Sequence, residues 1–242
     1  MTENKKENLN NRMIKFLFEG APVRGACVQM AEEWQEMIKF HHYPENVAAL
    51  LGQFTAGALL LSSTIKFEGS LILQVKGSGP IAFIYAEVRN PMSVRAMAEI
   101  REGAEIKPEM DLQELINKDG KGLCALILDP KDRRPGVQPY QGMVSLESNS
   151  VAENLENYMA KSEQLETKLY LAADSKKLGG LVIQKMPSVG GNVSEISDPD
   201  AWGRILQLAH TVTKDELLNV PATDVLHRLF WQEKLVPVAE TD

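Results

Sequence analysis

The chain has 242 residues, 44% hydrophobic and 24% charged, with 26 basic against 33 acidic side chains and a formal net charge of −7. This composition predicts a globular protein with a sizeable core, excludes whole-chain disorder, and argues against a nucleic-acid binder, which needs a basic surplus or stripe. The two cysteines, Cys27 and Cys124, lie far apart and outside any CxxC motif, which excludes a disulfide-scaffolded secreted domain and provides no zinc-binding motif.

The first segment, residues 1–12, is almost entirely polar and is predicted to be a disordered tail. It carries no apolar signal-peptide core, so we expect a cytoplasmic location. Further on, residues 47–65 are rich in Ala and Leu, but Gln53, Thr55 and a run of three hydroxyl residues interrupt them. A segment of this kind is more typical of a buried core helix than of a membrane span, so we expect no membrane partner.

Two helices are predicted in this part of the chain, one before residues 47–65 and one that includes most of them. Apolar residues between positions 27 and 40 recur at the helical period, which predicts a first helix there. Pro44 then breaks the chain, and the apolar run after it predicts a buried helix over residues 45–64.

A hairpin and a third strand follow in the predicted order. Residues 70–76 alternate between apolar and polar, Gly77–Pro80 has turn composition, and 81–88 is the predicted returning strand. Residues 93–101 also alternate and are interpreted as a strand, although Met97 and its neighbouring alanines are good helix formers and a short helix competes.

The middle of the chain mixes both element types. A short helix is predicted at residues 110–117, and 123–128 is apolar on both faces, which predicts a central strand. Its predicted partner is 141–147, and Ser150 with Glu153 forms the signature of a capping box that opens a helix. Two more strands are predicted at residues 168–172 and 180–186, with Gly179 and Gly180 interpreted as turn glycines.

The pattern changes after Pro187. Residues 188–197 have linker composition, Asp198 is the predicted N-cap of a helix with Pro199 at its first position, and Thr213 with Glu216 predicts a second capped helix. We therefore predict an α+β fold with an antiparallel sheet. Its predicted segments are a body of packed strands and helices at 13–187, a helical linker subdomain at 188–236, and a connection to a further domain at 237–242.

The sequence shows no converging set of catalytic groups. His41 and His42 are adjacent, so on a helix their side chains diverge by about 100°, and we interpret them as residues at a helix end. His210 and His227 lie on predicted helices without an HExxH motif. Residues 27 and 124 are interpreted as small buried hydrophobes rather than nucleophiles. We predict no enzyme, no metal site and no cofactor in this chain.

An ordered set of motifs resembles the 33 kDa heat shock protein family of redox-regulated chaperones. The motifs are YQGMVSLE at 140–147, YMAKSEQLET at 158–167, QKMP at 184–187, DVLHRLF at 224–230 and, upstream, GSGP at 77–80. Each motif alone is weak, but together and in order they extend over nearly all of residues 13–236. The resemblance implies an ATP-independent holdase, a chaperone that binds unfolding or oxidatively damaged proteins and prevents their aggregation.

The resemblance also implies partners and a switch. In the family, a carboxyl-terminal domain holds four cysteines, as CxC and CxxC, that bind zinc when reduced and form disulfides on oxidation. We expect this chain to lack that domain through truncation, and zinc to belong to the absent part. The implied partners are unfolded client proteins and a second copy of the chain in a homodimer, with no nucleic acid.

The same resemblance locates the regulated linker at about residues 188–235, whose apolar residues are the candidate client-binding surface. Two alternatives remain open: an enzyme on an α+β scaffold without an identified site, and a passive protein-interaction module. The candidate surface consists of Trp202, Ile205, Leu206, Leu217, Leu218, Val225, Leu226, Leu229, Phe230 and Trp231.

Overall fold

A computed structural model describes residues 12–89, 93–132, 138–186, 198 and 200–238. The helices and strands within these residues alternate along the chain. They are, in order, β1 (Arg12–Phe18), β2 (Val23–Met30), α1 (Glu32–Ile38), α2 (Glu45–Thr64), β3 (Gly69–Lys76), β4 (Ile81–Arg89), β5 (Ser93–Ile100), α3 (Leu112–Ile116), β6 (Leu123–Pro130), β7 (Tyr140–Ser145), α4 (Val151–Lys161), β8 (Thr167–Ala173), β9 (Leu178–Lys185), α5 (Ala201–Ala209), α6 (Lys214–Asn219), α7 (Ala222–Phe230) and β10 (Leu235–Pro237).

The strands form two five-stranded sheets. The first, called sheet A below, has the strand order β10-β1-β2-β9-β8, and the second, sheet B, has the order β5-β4-β3-β6-β7. Every neighbouring pair in both sheets is antiparallel. The predicted α+β class with an antiparallel sheet is therefore confirmed, with two sheets in place of one.

Helix α2 lies between the two sheets and forms the centre of the larger core. At Gly57, an added Cβ would meet Leu155 of α4, Leu171 of β8 and Leu73 of β3, so one point on the helix faces both sheets. Of the 20 residues in α2, 14 are buried. By length and composition this helix could cross a membrane, but 78% of its most apolar 18-residue window is buried inside the fold. It is the predicted core helix.

Helices α5, α6 and α7 cover the other face of sheet A. In β9, Leu178 and Val182 belong to the core around α2, whereas Leu181 and Ile183 belong to a second core shared with α5–α7. Sheet A is thus covered on both faces, which explains the unbroken apolar run in β9. We call α5–α7 the helical layer.

Most predicted elements lie where the sequence indicated. Helix α2 matches the predicted 45–64, and β3 to β5 match the predicted hairpin and third strand, so the strand interpretation of 93–101 is confirmed over the helix. Strand β6 is an inner strand between β3 and β7, as predicted. Ser150 caps α4 by accepting a hydrogen bond from the Glu153 amide, although the Glu153 carboxylate binds Ser148 and so does not close the box.

The helix predicted over residues 27–40 is wrong in its first third. Residues up to Met30 belong to β2, and only Glu32–Ile38 are helical. In β2 the side chains of Ala26 and Val28 enter one core and that of Cys27 enters the other. Because both faces of the strand are apolar, the period-2 pattern that identifies a strand is hidden.

Other boundaries differ by small amounts. Arg12, predicted as the last tail residue, begins β1, and Pro237, predicted to begin the connection to a further domain, ends β10. Helix α5 begins at Ala201 with Asp200 at its N-cap, not with Asp198. Pro199 and the predicted linker 188–197 lie outside the described residues. The division between a body at 13–187 and a linker at 188–236 stays a prediction.

Candidate functional site

The candidate client-binding surface is mostly turned inward, onto the outer face of sheet A. Six of its residues are at most 5% exposed, and three more are partly buried against the same core. Trp231 differs, since it follows α7 and is 68% exposed. The buried six are Ile205, Leu217, Val225, Leu226, Leu229 and Phe230, and the partly buried three are Trp202, Leu206 and Leu218.

An aromatic cluster anchors α7 to β1. The ring centroid of Phe230 lies 5.0 Å from that of Phe18 at an interplanar angle of 89°, and 6.2 Å from that of Phe16. Phe16 and Phe18 lie 5.5 Å apart, also edge to face. All three rings are at most 3% exposed. Edge-to-face pairs of this kind add about 0.5–1.5 kcal/mol to the gain from burial.

Helix α6 docks through its carboxyl end. The buried Gln29 side chain of β2 donates its amide hydrogens to the Leu217 and Val220 carbonyls, at 2.9 and 2.7 Å. The last carbonyls of a helix have no partner within it, so these two bonds satisfy groups that would otherwise be buried without a donor. Gly179 in β9 permits the approach, because a Cβ there would stand 2.2 Å from the Leu217 oxygen. Gly179 is therefore a packing glycine, and because Gly179 and Gly180 both lie within β9, their interpretation as turn glycines is wrong.

Ion pairs connect the helices mainly to one another rather than to the sheet. Arg204 of α5 bonds Glu233 at 2.6 Å and Asp198 at 2.7 Å. Arg228 of α7 bonds the Glu216 carboxylate of α6 at 2.9 Å. Both arginines are more than 40% exposed, and exposed pairs contribute only about 0–1 kcal/mol each. The attachment of the helical layer to the sheet therefore rests chiefly on apolar packing.

The chain returns to sheet A after α7 and adds an edge strand, β10, to it. Strand β10 pairs with β1 antiparallel, with Leu17 opposite Val236. The Glu19 amide donates to the Lys234 carbonyl at 2.9 Å, and the two side chains also form an exposed ion pair. Within the described residues this strand has three register pairs with β1, and the Val238 amide also donates to the Lys15 carbonyl at 2.9 Å, so the contact is short.

The helices of the layer are short. Helices α5 and α7 have nine residues each and α6 has six. Thr213 and Glu216 form a complete capping box at α6, as predicted. Isolated helices shorter than about 12–15 residues are marginal in water, so these helices depend on the sheet beneath them.

The described residues do not fit a zinc ion. Within the part of the chain that the structure describes, no group of three or more His, Cys, Asp or Glu side chains could hold a metal. Cys27 lies in the core under the helical layer and Cys124 in the core around α2, and both are free. Burial raises the pKa of each thiol to about 12, and the two thiols lie in separate cores, so they cannot share one metal ion. No zinc chemistry is derived for these residues.

The adjacent histidines lie in the turn after α1, at a helix end as interpreted. Both rings are exposed, and the His41 ring stacks on that of Tyr43 at a centroid distance of 5.0 Å. His42 has a positive φ of 48°, which directs it away from a helical position. A cleft lies between the two sheets, and the described residues that line it include neither of these histidines and neither cysteine.

Comparison with known proteins decides the family. The family model described as Hsp33 protein matches residues 11–242. The chain belongs to the Hsp33 family. The 33 kDa chaperonin of Methylobacillus flagellatus is 37% identical over 226 residues, which is 93% of this chain and 73% of that protein. The 33 kDa chaperonin of Neisseria gonorrhoeae is 40% identical over 223 residues, covering 92% and 70%.

A solved structure supports the fold of this Hsp33 member. The crystal structure of the 33 kDa chaperonin (heat shock protein 33 homolog) of Thermotoga maritima matches 96% of this chain and 82% of that chain, with a TM-score of 0.71. The sequence identity of 18% limits this likeness to the fold.

Sequence reasoning missed the sheet half of the candidate surface in this Hsp33 chain. Strand β1 was not predicted, so Phe16 and Phe18 were not considered. The signal was present: Ile14, Phe16 and Phe18 alternate with other residues at period 2 and all face the second core. Gln29 carried no such signal, because its role depends on where α6 ends in space.

Proposed function

We propose that this chain is an ATP-independent holdase chaperone whose client-binding surface is the apolar underside of the helical layer together with the outer face of sheet A. The relatives that the chain matches at 37–40% identity are named chaperonins, which supports chaperone activity. Clients, in this proposal, are partly unfolded proteins that expose apolar segments.

The proposal depends on the construction of the second core. Its helical half is three short helices held to the sheet by apolar contacts, and its sheet half includes Phe16, Phe18, Leu181 and Ile183. When the helices leave the sheet they lose the contacts that keep them folded. One opening event therefore exposes two apolar surfaces, while the core around α2 stays intact. Contiguous exposed apolar patches are typical binding sites for other proteins.

Redox regulation is part of the proposal for a longer protein that carries the cysteine-rich domain, not for these residues. Cys27 and Cys124 are fully buried thiols with a pKa of about 12, so oxidants meet almost no thiolate. We expect aggregation suppression by this chain to be the same with and without peroxide. We also expect purified chain to carry no stoichiometric zinc in elemental analysis. A strong activation by peroxide would contradict this account.

A cytoplasmic location and a homodimer are also proposed. The two cysteines are free and buried in separate cores, as in proteins of a reducing compartment. The homodimer rests on the family resemblance and is checked by light scattering coupled to gel filtration. The net charge of −7 and the burial of α2 support the absence of nucleic-acid and membrane partners.

A reversible lock tests the release of the helical layer. Leu17 and Val236 face each other across β1 and β10, where Cα atoms of an antiparallel pair lie about 4.5–5.5 Å apart, within disulfide range. We expect the double variant Leu17→Cys, Val236→Cys to suppress aggregation of a heat-denaturing protein when reduced and much less when oxidised. Light scattering at equimolar ratio is the measurement.

The matched control places the same cross-link in sheet B. Leu123 and Ser145 are paired across β6 and β7, and both are exposed, so Leu123→Cys with Ser145→Cys forms a bond that does not touch the helical layer. Its activity should be equal in both redox states. If the oxidised Leu17–Val236 lock protects clients as well as its reduced form, the proposed surface is wrong. Protection of several unrelated clients separates a holdase from a passive interaction module, which binds one folded partner.

A further inference from the structure

A cleft of about 720 Å³ opens between the two sheets at the carboxyl end of α2, on the side of sheet A that faces away from the helical layer. Its apolar lining includes Met13 and Leu71 from opposite sheets and Val88 and Leu128 from neighbouring strands, and the last hydroxyl residues of α2, Ser62–Thr64, add polar groups. A volume in this range that combines apolar side chains with polar and charged groups is large enough for a small molecule.

Basic side chains outnumber acidic ones at this cleft. Lys15, Arg24, Lys66 and Arg89 line it, and among the described residues Glu68 is the sole acidic lining residue. The chain as a whole has the opposite balance, with a net charge of −7. The negative carbonyl end of α2 attracts the same cations, so a basic cluster here is not yet a ligand site.

The geometry of Arg24 separates it from the other cations. Its Nε and Nη2 groups both donate to Gln184 Oε1, at 2.9 and 2.5 Å. Gln184 is fully buried, and its own amide nitrogen donates to Thr167 Oγ1 at 2.8 Å, which fixes the orientation of the oxygen toward Arg24. The arginine is therefore held in one orientation by neutral partners.

The outer edge of this guanidinium makes no bond to a described residue. Arg24 forms no ion pair in the part of the chain that the structure describes, and desolvation lowers its pKa. Two N–H groups on the edge formed by Nη1 and Nη2 match the two oxygens of a carboxylate, and such a bidentate charge-assisted pair is among the stronger hydrogen-bonded contacts in proteins. Strand alternation supports the direction, because Arg24 shares its face of β2 with Ala26 and Val28 of the inner core.

We propose that the cleft binds a small carboxylate ligand with an apolar body, whose carboxylate pairs with Arg24 and whose chain lies along the apolar walls. Lys15 and Lys66, at the rim, raise the local concentration of anions without contacting the ligand in a fixed geometry. Arg24 lies on the opposite face of sheet A from the proposed client-binding surface, although Phe16 borders both sites, so variants of Arg24 test the cleft separately from the holdase proposal.

Calorimetric titration with decanoate, below its micelle concentration, tests the site in the whole chain. We expect one decanoate per chain, and binding of the neutral amide decanamide at least tenfold weaker. Arg24→Leu should weaken decanoate binding by about tenfold or more. Arg24→Lys keeps the charge and can still bond Gln184, but it lacks the paired N–H edge. Its affinity for decanoate should therefore lie between those of the wild-type chain and Arg24→Leu.

The control is Arg95→Leu, which removes an exposed arginine on β5 outside the cleft and should leave decanoate affinity unchanged. Decanoate should also raise the melting temperature of the wild-type chain and of Arg95→Leu, but not of Arg24→Leu. The proposal is overturned by absence of decanoate binding, by equal affinities for decanoate and decanamide, or by unchanged affinity in both Arg24 variants. None of these outcomes bears on aggregation suppression, since Arg24 faces away from the helical layer.

Discussion

Helix α2 and the helical layer are both apolar, yet they are packed against different numbers of neighbouring elements. Helix α2 is buried by both sheets and by α4, so it cannot move without opening the larger core. The helical layer is buried on one side only, against sheet A, and its three helices touch the second core alone. We therefore expect the number of covered sides, rather than apolar content, to decide which helix can leave the sheet.

The largest expected effect compares one phenylalanine from each region. Phe54 in α2 and Phe230 in α7 are both at most 2% exposed, and truncation of a buried Phe to Ala costs about 3–5 kcal/mol. Phe54→Ala should lower the free energy of global unfolding by that amount in urea. Phe230→Ala should instead accelerate hydrogen exchange in the helical layer and increase aggregation suppression, with α2 amides unchanged.

Hydrogen exchange followed residue by residue is the measurement for both variants. Uniform acceleration throughout the chain in Phe230→Ala would show that the helical layer and the core around α2 open as one unit. In that case the contrast between the two regions fails, and with it the proposed route to client binding.

A middle-sized effect is expected at the buried polar contact under α6. Gln29→Leu leaves the Leu217 and Val220 carbonyls without their donor, which costs about 1–3 kcal/mol. Exchange in α6 should accelerate by roughly tenfold or more while sheet B keeps its protection. The matched control is Gln35→Leu, because Gln35 makes a similar but exposed bond to the Lys176 carbonyl. Equal effects of the two substitutions would contradict the role given to Gln29.

The smallest effect concerns pH. Burial raises the pKa of the Glu216 carboxyl, but hydrogen bonds from Thr213 and the charge of Arg228 outweigh it, so the pKa in the folded chain lies below its ordinary value. A lowered folded pKa stabilises the helical layer above the unfolded pKa of about 4.3, and this contribution is lost as pH falls through the folded value. The loss should stay below about 1 kcal/mol because the pair is partly exposed.

Exchange rates in α6 and α7 between pH 5 and pH 3 provide the measurement, after correction for the intrinsic pH dependence of exchange. Glu216→Gln should remove the additional acid sensitivity, since the amide keeps a hydrogen-bonding group but does not titrate. An identical pH profile in the variant and the wild-type chain would show that another carboxyl controls the layer.

Sequence patterns predicted elements well where only one interpretation fits the residues. The helix predicted over residues 45–64 has the bounds of α2, because a long apolar run after Pro44 with few strand signals favours a helix over a strand. Prediction failed in β2, where apolar residues on both faces imitate a helical stripe. Of the candidate site, the helical half was named residue by residue from the resemblance, whereas Phe16, Phe18 and Gln29 were not.

By itself the sequence determined the family, through an ordered set of motifs, and the helices and strands whose periodicity is strong. The tertiary structure alone decided that sheet A is covered on both faces, that Gln29 meets the end of α6, and that Gln184 holds Arg24 at a cleft. The physical reason is that periodicity reports which side chains avoid water. It does not report in which of two cores a side chain lies, since burial in either core removes the side chain from water equally.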